Sequence, residues 1–175
     1  MQLEIYRVDN ADKKQVWEVF RKYHYLNTDL HAAAYQYVGV LNGELVAHTG
    51  VIQFPMRKGW KRVHRLVVLP DYQGIGIGTA FINAIAELYR ENGYTFNLTT
   101  TTPSLVHALR RSVCWRLLRY GRAKGTMGSY GNKYGIDNSH FKNSESNRRI
   151  TYSFNYKEGG GHGKAKRKKA RNSKR

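Results

Sequence analysis

Hydrophobic and polar positions alternate in two periods along this chain, and the switches between them divide it into elements. Leu3 to Val8 alternates as a short strand. Asp9 is placed to cap a helix with Asp12 in its first turn, and Val16, Trp17, Phe20 and Tyr23 recur at helical spacing on one face. The stretch Tyr23-His24-Tyr25-Leu26 ends that helix, Asn27-Thr28-Asp29 turns the chain, and Leu30 to Ala34 suits a short second helix. Tyr35 to Leu41 and Glu44 to Pro55 flank Asn42-Gly43, a dipeptide that tolerates positive φ at both positions, so a hairpin is predicted. Arg57 to Lys61 reads as a basic turn, Val63 to Leu69 as a strand, and Pro70 as its stop. A helix follows from Thr79 to Asn92, burying Phe81, Ile82, Ile85, Leu88 and Tyr89, and Gly93 closes it. Tyr94 to Thr101 is a strand. Pro103 opens a helix capped by Thr102 and striped by Leu105, Val106 and Leu109. Trp115 to Tyr120 and the cleanly alternating Ile150 to Tyr156 are the last strands, separated by a Gly-, Ser-, Asn- and Lys-rich loop at 121–149.

Hairpins come early in this order and helical crossovers later, which predicts an α/β fold whose sheet mixes antiparallel and parallel neighbours and is flanked by helices. The 175 residues suit one domain, residues 1–158 including the long basic loop, followed by a flexible basic tail at 159–175. Charge changes this picture. The net charge is +18, yet residues 1–102 hold 11 Lys/Arg against 9 Asp/Glu. Residues 103–149 hold 10 against 2, and residues 159–175 hold 8 against none. An asymmetry of that kind points to an anionic partner, nucleic acid or a nucleoprotein, reached through 121–149 and 159–175. The tail has no apolar face for a membrane surface, and no apolar run is long enough to span one. A single cysteine, Cys114 beside Trp115, excludes an intrachain disulfide, reads as a small core residue and suits a reducing, cytoplasmic setting.

The stretch Pro70-Asp-Tyr-Gln-Gly-Ile-Gly-Ile-Gly-Thr79 places glycines at 74, 76 and 78 between an apolar strand and a helix. Small residues there let successive backbone amides converge on an anion, and the helix adds the positive end of its dipole. A nucleotide-binding P-loop is excluded because no Lys follows the glycines, and the dinucleotide fingerprint fails because its last glycine would fall on Thr79 or Phe81. Gln73-Gly-Ile-Gly76-Ile-Gly78, after a strand ending at a proline, resembles the coenzyme A pyrophosphate loop of the GNAT superfamily of acyl-CoA N-acyltransferases. The resemblance covers about residues 3–120 and the strand at 150–156. It implies acetyl-CoA as cofactor, held by the amides of Gln73, Gly74, Ile75, Gly76, Ile77, Gly78 and Thr79. It also implies that the pantetheine arm pairs with the strand edge at Leu66, Val67 and Val68, next to a splayed neighbour at Asn97 to Thr101, and that the Val68 amide meets the thioester oxygen.

Acyl transfer to an amine needs an outlet for protons. The resemblance puts the family's usual glutamate near Arg62, which is no base; His64 lies two residues on, on the same face, and has an ordinary pKa suited to the task. The tyrosine that protonates the leaving thiolate in many family members would fall near Arg110, on a helix without tyrosine, where His107 is the available substitute. Tyr23, His24, Tyr25 and Asn27, with the loop at 121–149, would frame the pocket for an amine-bearing acceptor. No metal site is expected. Two readings follow: an acetyl-CoA-dependent N-acetyltransferase with a nucleic-acid-associated acceptor, and a GNAT-like domain that has lost catalysis and binds nucleic acid.

Overall fold

The computed structural model describes residues 2–24, 30–54, 57–122 and 150–157; Tyr25, Asn27, most of the basic loop and the tail lie outside them. The elements are β1 (Leu3–Arg7), α1 (Lys13–Arg21), β2 (Tyr35–Leu41), β3 (Glu44–Gln53), β4 (Trp60–Val68), α2 (Ile77–Glu91), β5 (Thr95–Thr100), α3 (Pro103–Arg111), β6 (Trp115–Arg122) and β7 (Ile150–Tyr156). They build one seven-stranded sheet in the order β1-β2-β3-β4-β5-β7-β6. Every neighbouring pair is antiparallel except β4 and β5, which are parallel. The expected mixed α/β sheet is therefore present.

Several boundaries differ from the sequence pattern, each for a local reason. Leu30 to Ala34 is a turn, not a helix: Ala34 N donates to the His31 carbonyl and Ala33 N to the His31 ring. The first helix is capped by Asp12, not Asp9, because Asp12 N bonds the Asp9 carbonyl and starts the helix a turn later. The second helix starts at Ile77, two residues early, because Gly76 at φ 89° serves as its N-cap and lets the buried Ile77 enter the core. β4 starts at Trp60 because its first residues pair with Thr95 to Asn97 of β5. Asn42 and Gly43 do take positive φ, as the hairpin demands. Tyr23 and Leu88, placed in the core by periodicity, are 43% and 45% exposed.

Two cores cover the two faces of the sheet. Phe81, Ile82, Ile85 and Ala86 of α2 and Val106 and Leu109 of α3 pack with Val46, Val51, Phe96, Leu98, Trp115 and Phe154. Trp17 and Phe20 of α1 pack with Val8, Val38 and Val67 on the other face. β4 contributes to both by alternation, and a bulge resets which of its residues face which core. Thr49 pairs with Leu66 and Gly50 with His64, which leaves Arg65 over at φ 66°. The bulge turns Leu66 and Val68 to the α2 face beside Val63, while Arg62, His64 and Val67 face α1. The buried Thr49 hydroxyl donates to the Arg65 carbonyl (2.8 Å) and holds the bulge in place.

His48, fully buried beneath α1, stacks on Phe20 and bonds Gln36 through Nε2 (3.1 Å). Burial, with His24 nearby, lowers its pKa to about 3.

Two outcomes follow from this packing. A Cβ on Gly50 would lie 2.7 Å from the His64 carbonyl oxygen, so Gly50→Ala must push β3 and β4 apart beside the bulge. It should lower stability by about 1–3 kcal/mol, read as a lower urea midpoint at unchanged m value. Between pH 6.5 and about 3 the unfolded His48 holds a proton that the folded ring refuses. Stability from this group is complete above pH 6.5 and falls away as pH drops through that window. In urea titrations at pH 7, 5.5 and 4.5, the margin of wild type over His48→Gln should shrink with falling pH; a constant margin would count against it.

Candidate active site

The pairing of β4 with β5 covers only three residues, Trp60–Thr95, Lys61–Phe96 and Arg62–Asn97. Beyond Arg62 the strands separate. β5 goes on pairing with β7 as far as Thr100 with Tyr152, and β4 goes on pairing with β3 as far as Val68 with Ala47. The β5-facing edge of β4 from Val63 to Val68 is thus without a strand partner among the described residues. An open backbone edge inside a sheet accepts an extended ligand as an added strand.

The glycine turn sits at the end of that same edge. A single 3₁₀ turn, Pro70–Tyr72, leads into Gln73, whose side-chain amide donates back to the Val68 carbonyl (2.8 Å) and ties the turn to the strand. Gly74 and Gly76 adopt φ 82° and 89°, a backbone that other L-residues resist, and an added Cβ at either would point into open space. Gly78 is small for a different reason: a Cβ there would lie 3.2 Å from Val68 Cγ2, so it sets how closely α2 approaches β4. The first helical bond runs from Ala80 N to the Gly76 carbonyl, which leaves the amides of Ile77, Gly78 and Thr79 as the leftover donors of a helix start. The Thr79 hydroxyl donates to the Gly76 carbonyl (2.8 Å). Gln73 to Gly76 are exposed while the Ile77 side chain is buried, so Ile77 offers its amide alone. Neutral backbone donors at a helix N-terminus suit a diphosphate, and the open edge beside them suits the amide-bearing arm of coenzyme A. The ten residues expected to hold the cofactor lie on the end of β4 and on the turn that leads from it into α2.

The α1-facing side of the split strand is cationic. Arg62 and His64 share it with the bulged Arg65, whose Nη1 donates to His24 Nδ1 (3.2 Å) and whose guanidinium lies 5.8 Å from the Trp17 ring. His31 N donates to His64 Nε2 (3.3 Å), and the two imidazoles meet edge to face. Burial, reinforced by Arg65, Arg62 and the histidines, lowers the His64 pKa to about 4, so its ring is neutral at pH 7. Burial also lowers the pKa of Arg62. Next to them, Asn97 is buried on β5 and its amide donates to Asn155 Oδ1 (2.8 Å), the Phe154 carbonyl (2.9 Å) and Ser153 Oγ (3.1 Å). No group of three or more His, Cys, Asp or Glu suited to a metal occurs among the described residues.

Of the other residues singled out by sequence, His24 is brought to Arg65 and the neighbourhood of His64. Tyr23 is exposed with the Lys22 ammonium 4.9 Å from its ring centre, and Tyr25 and Asn27 lie outside the described residues. His107 is on the exposed face of α3, opposite the buried Val106 and Leu109. The roles of Arg65, His31 and the Asn97 cluster were not legible in the sequence. An arginine carries no signal for positive φ, and the histidines meet only through the turn before β2.

Comparison with known proteins agrees with this geometry. The sequence profile described as Acetyltransferase (GNAT) family matches residues 3–110. Among curated proteins none is significantly similar in sequence. Solved structures with the same fold include the ribosomal-protein-S18-alanine N-acetyltransferase of Escherichia coli, at TM-score 0.60 and 13% identity over 92% of this chain and 99% of that one. Another is the IAA acetyltransferase of Bacillus cereus, at TM-score 0.58 and 16% identity over 89% and 99%. A third is a Bacillus subtilis acetyltransferase in complex with CoA, at TM-score 0.58 and 13% identity over 87% and 97%. The split strand, the glycine turn and the matched profile agree, and the chain belongs to the GNAT acetyltransferase family.

Proposed function

We propose that the protein is an acetyl-CoA-dependent N-acetyltransferase whose amine acceptor is associated with nucleic acid. The observation that carries this reading is the loss of β4–β5 pairing after Arg62, with the free edge leading into the amides of Gln73 to Thr79. Acetyl-CoA would supply an activated acetyl thioester. The glycine turn would hold its diphosphate through neutral donors, and the edge from Leu66 to Val68 would align the pantetheine arm. The Val68 amide would polarise the thioester oxygen as attack proceeds. Chemistry takes place where the strands have parted, next to Arg62 and His64.

His64 is the proposed proton acceptor. Its ring is neutral at working pH; its lowered pKa makes it a weaker base than an ordinary imidazole, and Nε2 would release the His31 N–H to take the proton and pass it to water. The surrounding Arg62 and Arg65 disfavour a second cation, so the acceptor must arrive as a neutral amine, and they favour one that carries an anionic group nearby. Together with the 18 Lys/Arg in residues 103–149 and 159–175, this supports an acceptor borne by nucleic acid or a nucleoprotein. His107 on α3 is the proposed source of a proton for the departing thiolate, and His24 a contact for the acceptor. The second reading, a binding module without catalysis, is favoured by one observation: the two β4 side chains at the parting of the strands, Arg62 and His64, include no carboxylate to act as a base.

Acetyl-CoA at about a hundredfold excess over its Kd should raise the melting temperature by about 5–10 °C. Gly76→Glu, which sets a carboxylate in the cradle, should abolish the rise; no stabilisation of wild type would overturn the cofactor assignment. The transfer itself is read with labelled acetyl-CoA and cell extract, sorting the label into protein, RNA and DNA. Stabilisation without any labelled product would favour the second reading. His64→Ala should lower kcat by about 10²-fold while leaving the acetyl-CoA-induced stabilisation intact. Wild-type kcat should show no titration of this ring between pH 6 and 8, because it is neutral throughout. An unchanged kcat in His64→Ala would remove the residue from the mechanism.

A further inference from the structure

A second cavity lies at the far end of α2. It has a volume of about 550 Å³ and is bounded by the end of β1, the start of β2, the start of β4 and the last turns of α2. The glycine turn is at the other end of the same fifteen-residue helix, roughly 20 Å away at the usual rise per residue. Lys61 on its wall is still within the paired part of β4, before the strands part. The cavity therefore belongs to neither the cofactor edge nor the His64 face.

Its lining is a ladder of alternating cations and rings. The Arg7 guanidinium is 4.6 Å from the centre of the Tyr35 ring. The Lys61 ammonium is 5.5 Å from the same ring and 4.8 Å from that of Tyr94. Tyr35 and Tyr94 are 40% and 37% exposed, and a flat ligand stacks on either ring by displacing the side-chain cation now set over it. Behind them Tyr37 and Tyr89 are buried and joined hydroxyl to hydroxyl at 3.0 Å, a rigid floor that holds the upper rings in place. No carboxylate lines the cavity, and neither Arg7 nor Lys61 has a salt-bridge partner among the described residues.

Each property narrows the ligand. Two cations without a carboxylate reject an ammonium ligand and attract an anion. A purely apolar ligand would strip water from both cations with nothing in return. Exposed tyrosine faces reward a flat ring, and the volume lies in the range of small-molecule sites. We propose that this cavity binds a nucleotide unit, its base stacked on Tyr35 or Tyr94 and its phosphate held by Arg7 and Lys61. The unit can come from a free mononucleotide or from a single-stranded nucleic acid passing over the site. The inference rests on the cavity alone and stands whether or not the acetyl-transfer reading does.

The test uses the full chain with AMP, a dT decamer and inorganic phosphate, followed by calorimetry and by the ring resonances of Tyr35 and Tyr94. AMP should shift both rings and bind wild type. Arg7→Gln combined with Tyr35→Ala should weaken AMP about tenfold or more, with binding read well below the variant's own melting temperature. Lys61→Gln, which keeps most of the stem, is the second variant and should weaken phosphate-bearing ligands alone. Gly76→Glu should leave AMP binding intact, which separates this site from the cofactor turn. A decamer that binds far more tightly than AMP, with the excess lost in the variants, identifies a strand as the source; equal affinity identifies the free nucleotide. The proposal is overturned if AMP and the decamer leave the two rings unmoved, if the variants bind both as wild type does, or if inorganic phosphate alone matches AMP.

Discussion

A strand inside a sheet ordinarily satisfies both of its edges, and an edge left open inside a folded domain carries unpaired amides and carbonyls that cost about 1–3 kcal/mol each unless water or a ligand meets them. β4 pairs with β3 from Lys61 to Val68, save the bulged Arg65, and with β5 for only three residues. The extra residue Arg65 lies just past the point where the β5 pairing stops. It bends the strand, and the buried Thr49 hydroxyl takes up the displaced carbonyl. The same bulge decides which side chains face which core. Leu66 and Val68 are turned towards α2, so the glycine helix has apolar surface to rest on, while Arg62 and His64 stay on the α1 side.

From that split the site follows in layers. The Gly78–Val68 contact brings the start of α2 against the end of the open edge, so donors for a diphosphate and backbone for an extended arm are contiguous. Gln73 spends its side chain on the Val68 carbonyl, which leaves the anion to neutral amides. On the opposite face the turn at His31 lies against His64, and burial lowers the pKa of both His64 and Arg62. The cationic surroundings that depress His64 are also what would draw the proposed anionic acceptor.

The two ends of α2 differ in what surrounds them. Its N-terminus offers leftover amides and a positive pole, and its C-terminus, closed by Asn92 and Gly93, stands over a cavity whose charge comes from Arg7 and Lys61 on the sheet. A helix gives an anion site for free only at its start. At its end side-chain cations must supply the charge, and here strands β1 and β4 provide them.

Most of the element order was legible in the sequence because it depends on local chemistry. Asn42-Gly43 makes a tight hairpin turn wherever it sits between strands, Pro70 stops a strand, and glycines at 74 and 76 permit a left-handed backbone with no help from the rest of the chain. The glycine turn at a helix start was legible for the same reason: its left-handed glycines and the helix that follows need no distant residues. The bulge at Arg65, the meeting of His64 with His31 and of Arg65 with His24, and the exposure of Tyr23 and Leu88 were decided only in three dimensions. Each depends on which strand lies alongside, on how far a neighbouring turn reaches, or on which part of a helix the sheet covers. Periodicity counts positions along one chain and carries no information about where a neighbour ends; the parting of β4 from β5 is set by such an ending, and so only the tertiary structure could place it.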